Sequence, residues 1–307
     1  MPIELTFFIE VLAGGLLAGV MYALVALGFV LIYKASGVFN FAQGAMVFLA
    51  ALVFAALHEK LSLPFWAACI LTFGVMILLG VLTERIVLRP LVNQPQISLF
   101  MATIGLAFFI EGVAQIVQLW AFGDMSPRPL SVGIQDQPIE SLLTSLNIVI
   151  SSFDLFAAAV AGVLVALLAV FFNRTRIGRA LRAVADDHQA ALSVGIPLKY
   201  IWAIVWSVAG FVALVAGLMW GARSGVQFAL TLVALKALPV LILGGFESVA
   251  GAIVGGLIIG ASEKLAEVYL GPSVQGGIEG WFAYVMALLF LLIRPEGLFG
   301  EKHIDRV

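Results

Sequence analysis

VLAGGLLAGVMYALVALGFVLIY, residues 11–33, carries no formal charge, and neither do ASGVFNFAQGAMVFLAALVFAAL at 35–57 or LSLPFWAACILTFGVMILLGVLT at 61–83. A helix needs roughly 20 predominantly apolar residues to cross a hydrocarbon core, so the N-terminal part of the chain reads as three crossings. Further apolar segments at 98–119, 155–173, 200–221, 228–244, 249–265 and 281–293 are set apart by charge or by Pro and Gly. They bring the expected count to about nine, within a range of eight to ten. Strands of a membrane barrel alternate apolar and polar residues over roughly ten positions, whereas these segments are apolar all round. The expected fold class is therefore all-α, a polytopic membrane helical bundle with Gly-rich packing, built as a single domain over residues 1–307.

Composition agrees. The 307 residues are 63% hydrophobic and 11% charged, with mean hydropathy +1.13. A soluble domain carries about 45–50% apolar and ~25% charged residues. The net charge of -2 argues against a nucleic-acid surface, which needs clustered cations. A lone cysteine, Cys69, excludes an internal disulfide and disfavours thiolate metal ligation. MPIELTFFIE places Glu4 and Glu10, and no basic residue, around its first apolar stretch. That is unlike a cleavable signal peptide, so the first segment is expected to remain in the mature protein.

Enzymatic chemistry finds no purchase. There is no G-x-x-x-x-G-K-[ST] phosphate loop despite 31 glycines, so nucleotide hydrolysis is expected on another subunit. His58, His188 and His303 stand apart from one another and from carboxylates at ligand spacing. Ser207 and Ser262 lie in spans with no His to activate them. The chain reads as a transporter component and not an enzyme.

With nine spans, the basic residues sort by side. Lys34, Arg85, Arg89, Arg174, Arg176, Arg179, Arg182, Lys199, Arg294, Lys302 and Arg306 fall on one side. Lys60, Arg128, Arg223 and Lys264 fall on the other, and Lys236 lies within a span. Positive residues are retained in the cytoplasm, so the N-terminus is expected outside and the C-terminus inside. A re-entrant segment at 34–44 would undo the N-terminal half of this assignment and leave 174–199 cytoplasmic.

Two connections are long. Residues 120–154 hold Asp124, Asp136, Glu140 and Asp154 with a β-prone NIVISSF run, an acidic external loop with room for a small hairpin. Residues 174–199, RTRIGRALRAVADDHQAALSVGIPLK, carry clear helix punctuation. Asp186 or Asp187 suits an N-cap, Gly195 the position after the last turn, and Pro197 a stop. A short cytoplasmic helix is expected there, anchored by the basic stretch before it.

Polar residues inside apolar segments are the candidates for a transport path. Asn40 and Gln43, in GVFNFAQGAM, read either as path lining or as an interhelical hydrogen bond. Glu111, Gln115 and Gln118 share one helix face that must avoid lipid. Lys236 precedes Pro239 in LVALKALPVLILGG and reads either as a path residue or as a snorkelling side chain. Gly251, Gly255, Gly256 and Gly260 recur at near-fourfold spacing, which lets helices approach closely.

GLLAGVMYALVALGFVLIYKASGVFNFAQGA (15–45), ERIVLRPL (84–91) with ATIGLAFF (102–109), RALRAVADDHQAALSVGIP (179–197), LGGFESVAGAIVGGLIIG (243–260) and RPEGLFG (294–300) occur in order. Together they make the chain resemble, over almost its whole length, the inner-membrane permeases of high-affinity branched-chain amino-acid ABC importers. The resemblance implies a second related permease, two cytoplasmic ATPases and a soluble periplasmic or extracellular substrate-binding protein. No cofactor is implied on this chain, with ATP and Mg held by the ATPases. It also makes the cytoplasmic helix a coupling helix that docks on an ATPase, with Asp186, Asp187, Ala190, Ala191, Gly195 and Ile196 at the matching positions. Branched-chain amino acids are the implied cargo, and related permeases carry urea, short amides or aromatic acids. Several family members carry an acidic residue shortly after N-F-A, where this chain has Ala45. The competing class is a gradient-driven secondary transporter or channel, for which Glu111 and Lys236 are the evident ionisable pair.

Overall fold

The computed structural model describes residues 3–91, 94–134, 136–139, 149–186 and 188–300. Helices dominate it: α1 (Ile3–Ser36), α2 (Gln43–Ala55), α3 (Phe65–Leu82), α4 (Gln96–Phe122), α5 (Ser152–Arg174), α6 (Arg176–Asp186), α7 (His188–Ser193), α8 (Leu198–Ser224), α9 (Val233–Gly244), α10 (Val249–Leu270) and α11 (Phe282–Ile293). Seven helical stretches among the described residues are long and apolar enough to cross a membrane, and Phe228–Gly244 and Phe282–Ile293 are shorter apolar helices. Each of the nine apolar segments thus contains one of these helices. The two shorter ones differ in reach: at 1.5 Å per α-helical residue, α11 rises about 18 Å. Phe228–Gly244, which opens with a tighter 3₁₀ turn, rises roughly 28 Å.

Backbone contacts group the chain into two units. One comprises Leu27–Val132 and Leu167–Leu235, the other Met1–Ala26, Gly133–Ala166 and Lys236–Val307.

In the Leu27–Val132 and Leu167–Leu235 unit, α2 is the central helix. Every residue of α2 except Val53 is buried, which is why its sequence is apolar on all faces. It packs on α3, α4 and α8. Glycines set the approach: a Cβ on Gly217 of α8 would meet the Val47 carbonyl at 2.6 Å, and one on Gly80 of α3 would meet the Trp206 carbonyl carbon at 2.9 Å. The apolar segment at 35–57 is not one continuous helix. Gly37 takes the left-handed conformation (φ +65°) and its N–H donates to the Tyr33 carbonyl at 2.7 Å, closing α1. This is a glycine helix stop. Residues 37–42 are non-helical, and α2 starts only at Gln43.

Helix ends of this unit meet in pairs. Lys60 Nζ donates to the Trp120 carbonyl at 2.8 Å, and Arg128 and Val226 pair through both backbone bonds. At the opposite ends, Trp202 Nε1 donates to the Ala35 carbonyl at 3.1 Å and Thr103 Oγ1 to the Phe39 carbonyl at 3.0 Å. Asp124 accepts the Ser126 N–H and a 2.7 Å bond from Arg128, which hold its carboxyl below the usual carboxylate range.

In the other unit, α10 presents glycines on two faces. Gly256 and Gly260 lie against Gly15 and Gly19 of α1, while Gly251 and Gly255 lie against Gly244 and Val240 of α9. The four-residue spacing brings each pair to one helix face, and helices of this kind pack backbone to backbone. The end of α9 is tied to the C-terminal segment, where the Leu298 and Phe299 N–H groups donate to the Leu243 and Gly244 carbonyls at 2.8 and 3.1 Å. LGG and RPEGLFG, far apart in sequence, are therefore one structure. The acidic loop contains the expected hairpin, with β1 (Pro138–Ile139) antiparallel to β2 (Ile150–Ser151). Glu140 lies outside the described residues.

Candidate functional site

The connection at 174–199 is two helices and not one. Thr175 starts α6, its Oγ1 accepting the Gly178 N–H at 3.0 Å, as an N-cap does. A Cβ on Gly178 would strike the backbone at Phe171 and Phe172, so glycine is what lets the chain turn there. α6 is amphipathic, with Leu181 and Val184 buried and Arg176 and Arg179 exposed. Arg182 donates to the Phe172 carbonyl at 2.9 Å, which places a cation at the C-terminal end of α5.

Of the two N-cap candidates, Asp186 is the last residue of α6. The basic stretch before it winds into a helix of its own because its apolar positions recur at helical spacing. Asp187, between α6 and α7, lies outside the described residues. Ala190 lies within α7. The expected stop is present: Gly195 has φ +86°, its N–H donates to the Leu192 carbonyl and that of Ile196 to the Ala191 carbonyl, both at 3.0 Å. Pro197 then precedes α8. Ala191, expected as a small docking residue, points inward at 2% exposure. Leu192 and Val194, which no sequence motif singles out, stand out at 52% and 73% exposure. These two bare aliphatic side chains make an apolar knob at the tip of a polar connection.

The intramembrane polar residues separate into three cases. Asn40 and Gln43 are completely buried. Asn40 Nδ2 donates to Gln43 Oε1 at 3.2 Å, Asn40 Oδ1 accepts the Ala42 N–H at 3.0 Å, and Gln43 Nε2 donates to the Ala209 carbonyl at 3.4 Å. In this conformation they tie the start of α2 to α8, the interhelical bond that one of the two readings expects. Asn40→Ala is expected to cost about 1–3 kcal/mol by orphaning the Gln43 oxygen and the Ala42 N–H, read as a lowered unfolding midpoint in detergent.

On α4, Gln118 is buried and donates to the Ser126 carbonyl at 3.1 Å. Glu111 and Gln115 are half-buried, with no hydrogen-bond partner among the described residues.

Lys236 is paired. Its Nζ lies 2.8 Å from Glu263 Oε1 of α10 and 3.4 Å from the Tyr22 hydroxyl of α1, and Tyr22 donates to the same Oε1 at 3.2 Å. The partner is Glu263, which no sequence motif singles out. A lone charge in a hydrocarbon core costs on the order of a few kcal/mol, and pairing offsets that cost. This necessity is the available signal for Glu263, obscured by the glycine pattern around it.

Among known families, the one described as "Branched-chain amino acid transport system / permease component" matches residues 11–294. The high-affinity branched-chain amino acid transport system permease protein LivH of Salmonella typhimurium is 27% identical, with 99% of each chain covered. The corresponding permease protein BraD of Pseudomonas aeruginosa is 26% identical, again with 99% of each covered. A fructose import permease protein, FruG of Bifidobacterium longum, is 25% identical over 70% of this chain and 61% of its own.

Proposed function

The chain belongs to the branched-chain amino acid ABC transporter permease family, and from this premise we propose that it carries leucine, isoleucine and valine inward as one half of a translocator. It is an importer permease subunit and holds no catalytic role of its own. In this reading residues 1–307 act as one permease domain beside a second, related permease. Two cytoplasmic ATPases bind ATP and Mg, and a soluble binding protein delivers cargo from outside. The observation that carries the cargo is full-length similarity to branched-chain amino acid permeases, against partial coverage for the fructose permease.

The reading places nine crossings in the bacterial inner membrane, N-terminus outside and C-terminus inside. Helix-end contacts support this alternation. Lys60 with Trp120 and Arg128 with Val226 join ends that the charge distribution puts outside. Trp202 with Ala35 and Leu298 with Leu243 join ends that it puts inside. An error of one crossing between the members of a pair would put its ends on opposite faces, roughly 30 Å apart. Exposed Trp66 and Trp120, at the outer ends of α3 and α4, suit an interfacial aromatic belt. In a background lacking Cys69, an impermeant maleimide added to intact spheroplasts is expected to label Ser126→Cys and not Val194→Cys. The reverse pattern would contradict the orientation.

The α6–α7 connection is the coupling element. Gly195 and Pro197 end α7 sharply, and the knob of Leu192 and Val194, flanked by Ile196, supplies the apolar contact to an ATPase. Asp186, Asp187, Ala190 and Ala191 belong to the same element. ATP-driven closure of the ATPases moves it and alternates access to the cargo path. Lys236 borders that path. Glu111 and Gln115 face the path or the second permease, since a carboxyl without a partner is costly against lipid.

The cargo is tested with the complete complex in proteoliposomes. Unlabelled isoleucine and valine are expected to suppress labelled leucine uptake, and fructose to leave it unchanged. Suppression by fructose alone would overturn the assignment.

A further inference from the structure

The triangle of Tyr22, Lys236 and Glu263 uses only part of its hydrogen-bonding capacity. An ammonium has three protons and a carboxylate two oxygens. Lys236 gives one proton to Glu263 Oε1 and one to the Tyr22 hydroxyl, while Tyr22 gives its own proton to the same Oε1. Glu263 Oε2 is buried with no partner among the described residues. The third Lys236 proton also finds no acceptor there, and the lysine side chain is 32% exposed while that of Glu263 is 4%. One open donor and one open acceptor remain, side by side, within a segment of apolar helix.

We infer that this ion pair is a subsite for the charged head of a zwitterionic α-amino acid. The cargo carboxylate takes the remaining Lys236 N–H, and the cargo ammonium takes Glu263 Oε2. The inference rests on the cargo class proposed above and adds to it the residues and the recognition chemistry. A zwitterion suits the pair better than an ion of one sign. The pair is already neutral, so a lone anion or cation would bring uncompensated charge into a low-dielectric site. A zwitterion adds no net charge and satisfies both open groups. Tyr22 is the positioning residue: by holding Oε1 it leaves Oε2 as the oxygen presented to a ligand. Pro239 lies three residues after Lys236 and has no N–H to close the helical bond to the Leu235 carbonyl. In this conformation Glu263 Oε2 is closed off, so the subsite is filled in a state of the transport cycle in which the helices around it part.

The test uses the permease–ATPase complex in nanodiscs, without binding protein, and three probes: leucine, 4-methylpentanoate (no ammonium) and 3-methylbutylamine (no carboxylate). Leucine is expected to bind at least about tenfold more tightly than either analogue, the scale of one lost charge-assisted hydrogen bond. Lys236→Met and Glu263→Gln are expected to raise the leucine KM of ATP-driven uptake by about 10- to 100-fold with a smaller change in kcat. Tyr22→Phe is expected to raise it less. The analogue comparison needs only wild-type complex, so it decides even where a variant fails to assemble. Leucine binding no tighter than both analogues, or no leucine binding at all, overturns the subsite; so does an unchanged KM in both assembled variants. In each case leucine uptake by the wild type leaves the cargo proposal standing. A wild-type complex that imports fructose and not leucine overturns both.

Discussion

Gly260→Leu is expected to abolish recovery of folded permease, while Gly14→Leu, one residue from the same seam, leaves yield and unfolding temperature near wild type. The reason lies in which atoms a side chain would meet. A Cβ on Gly260 would strike the Gly15 carbonyl oxygen and meet the Gly19 backbone nitrogen and Cα at 2.5 Å; one on Gly14 would meet nothing within 4 Å. The seam is reciprocal, since a Cβ on Gly19 would meet the Gly256 carbonyl at 2.5 Å and one on Gly256 the Gly19 carbonyl at 2.6 Å. Overpacking costs about 1–3 kcal/mol where neighbouring side chains can shift. Here the neighbours are backbone atoms of a packed helix, which cannot rotate away, so the loss exceeds that range. Differential scanning fluorimetry of the detergent-purified variants measures it. A Gly260→Leu permease that melts with the wild type would show that α1 and α10 do not meet backbone to backbone.

The other large effect is expected at the knob on the α6–α7 connection. Leu192→Asp combined with Val194→Asp should leave the permease folded and membrane-inserted, because both side chains are largely exposed in the free chain. ATP-driven uptake should nevertheless fall to background. Burying each apolar side chain against a partner contributes about 1.5–3 kcal/mol, more than tenfold in affinity apiece, and a carboxylate in its place adds a desolvation cost. Pull-down of the ATPases by the tagged permease measures assembly, and uptake measures coupling. Ala191→Ser, on the inward side of the same turn, serves as the contrast: its effect should appear in stability and not in ATPase binding. Normal uptake by the double variant would remove the knob from the coupling mechanism.

What is legible in the sequence and what is concealed follow one physical division. Apolar segments announce every bundle helix, because a hydrocarbon core tolerates few charges and demands continuous backbone bonding. Gly195 and Pro197 are legible because a helix stop is a local event. The break at Gly37 shows in the sequence only through its glycine, since residues 38–42 are buried or half-buried and need no polar composition. Gly251 to Gly260 announce close packing, but not that the first two glycines serve α9 and the last two α1. That depends on which helices adjoin α10, and one chain's spacing does not encode it. For the same reason Lys236 is visible as a charge in a span, while its partner Glu263 is not. Ala191 faces inward and Leu192 outward because one residue turns an α-helix by about 100°, and α7 is too short to fix its phase by pattern.

A permease driven only by ATPases on its cytoplasmic side, with no engine of its own, has a clear signature in labelled leucine uptake into proteoliposomes, when the purified chain alone is compared with the full complex at equal permease content. Accumulation above the external concentration is expected only when the complex has its binding protein on the outer face and ATP on the face of the α6–α7 connection, with none for the single chain under an imposed proton gradient. Uphill uptake by the single chain without nucleotide would contradict this and make the protein a gradient-driven transporter.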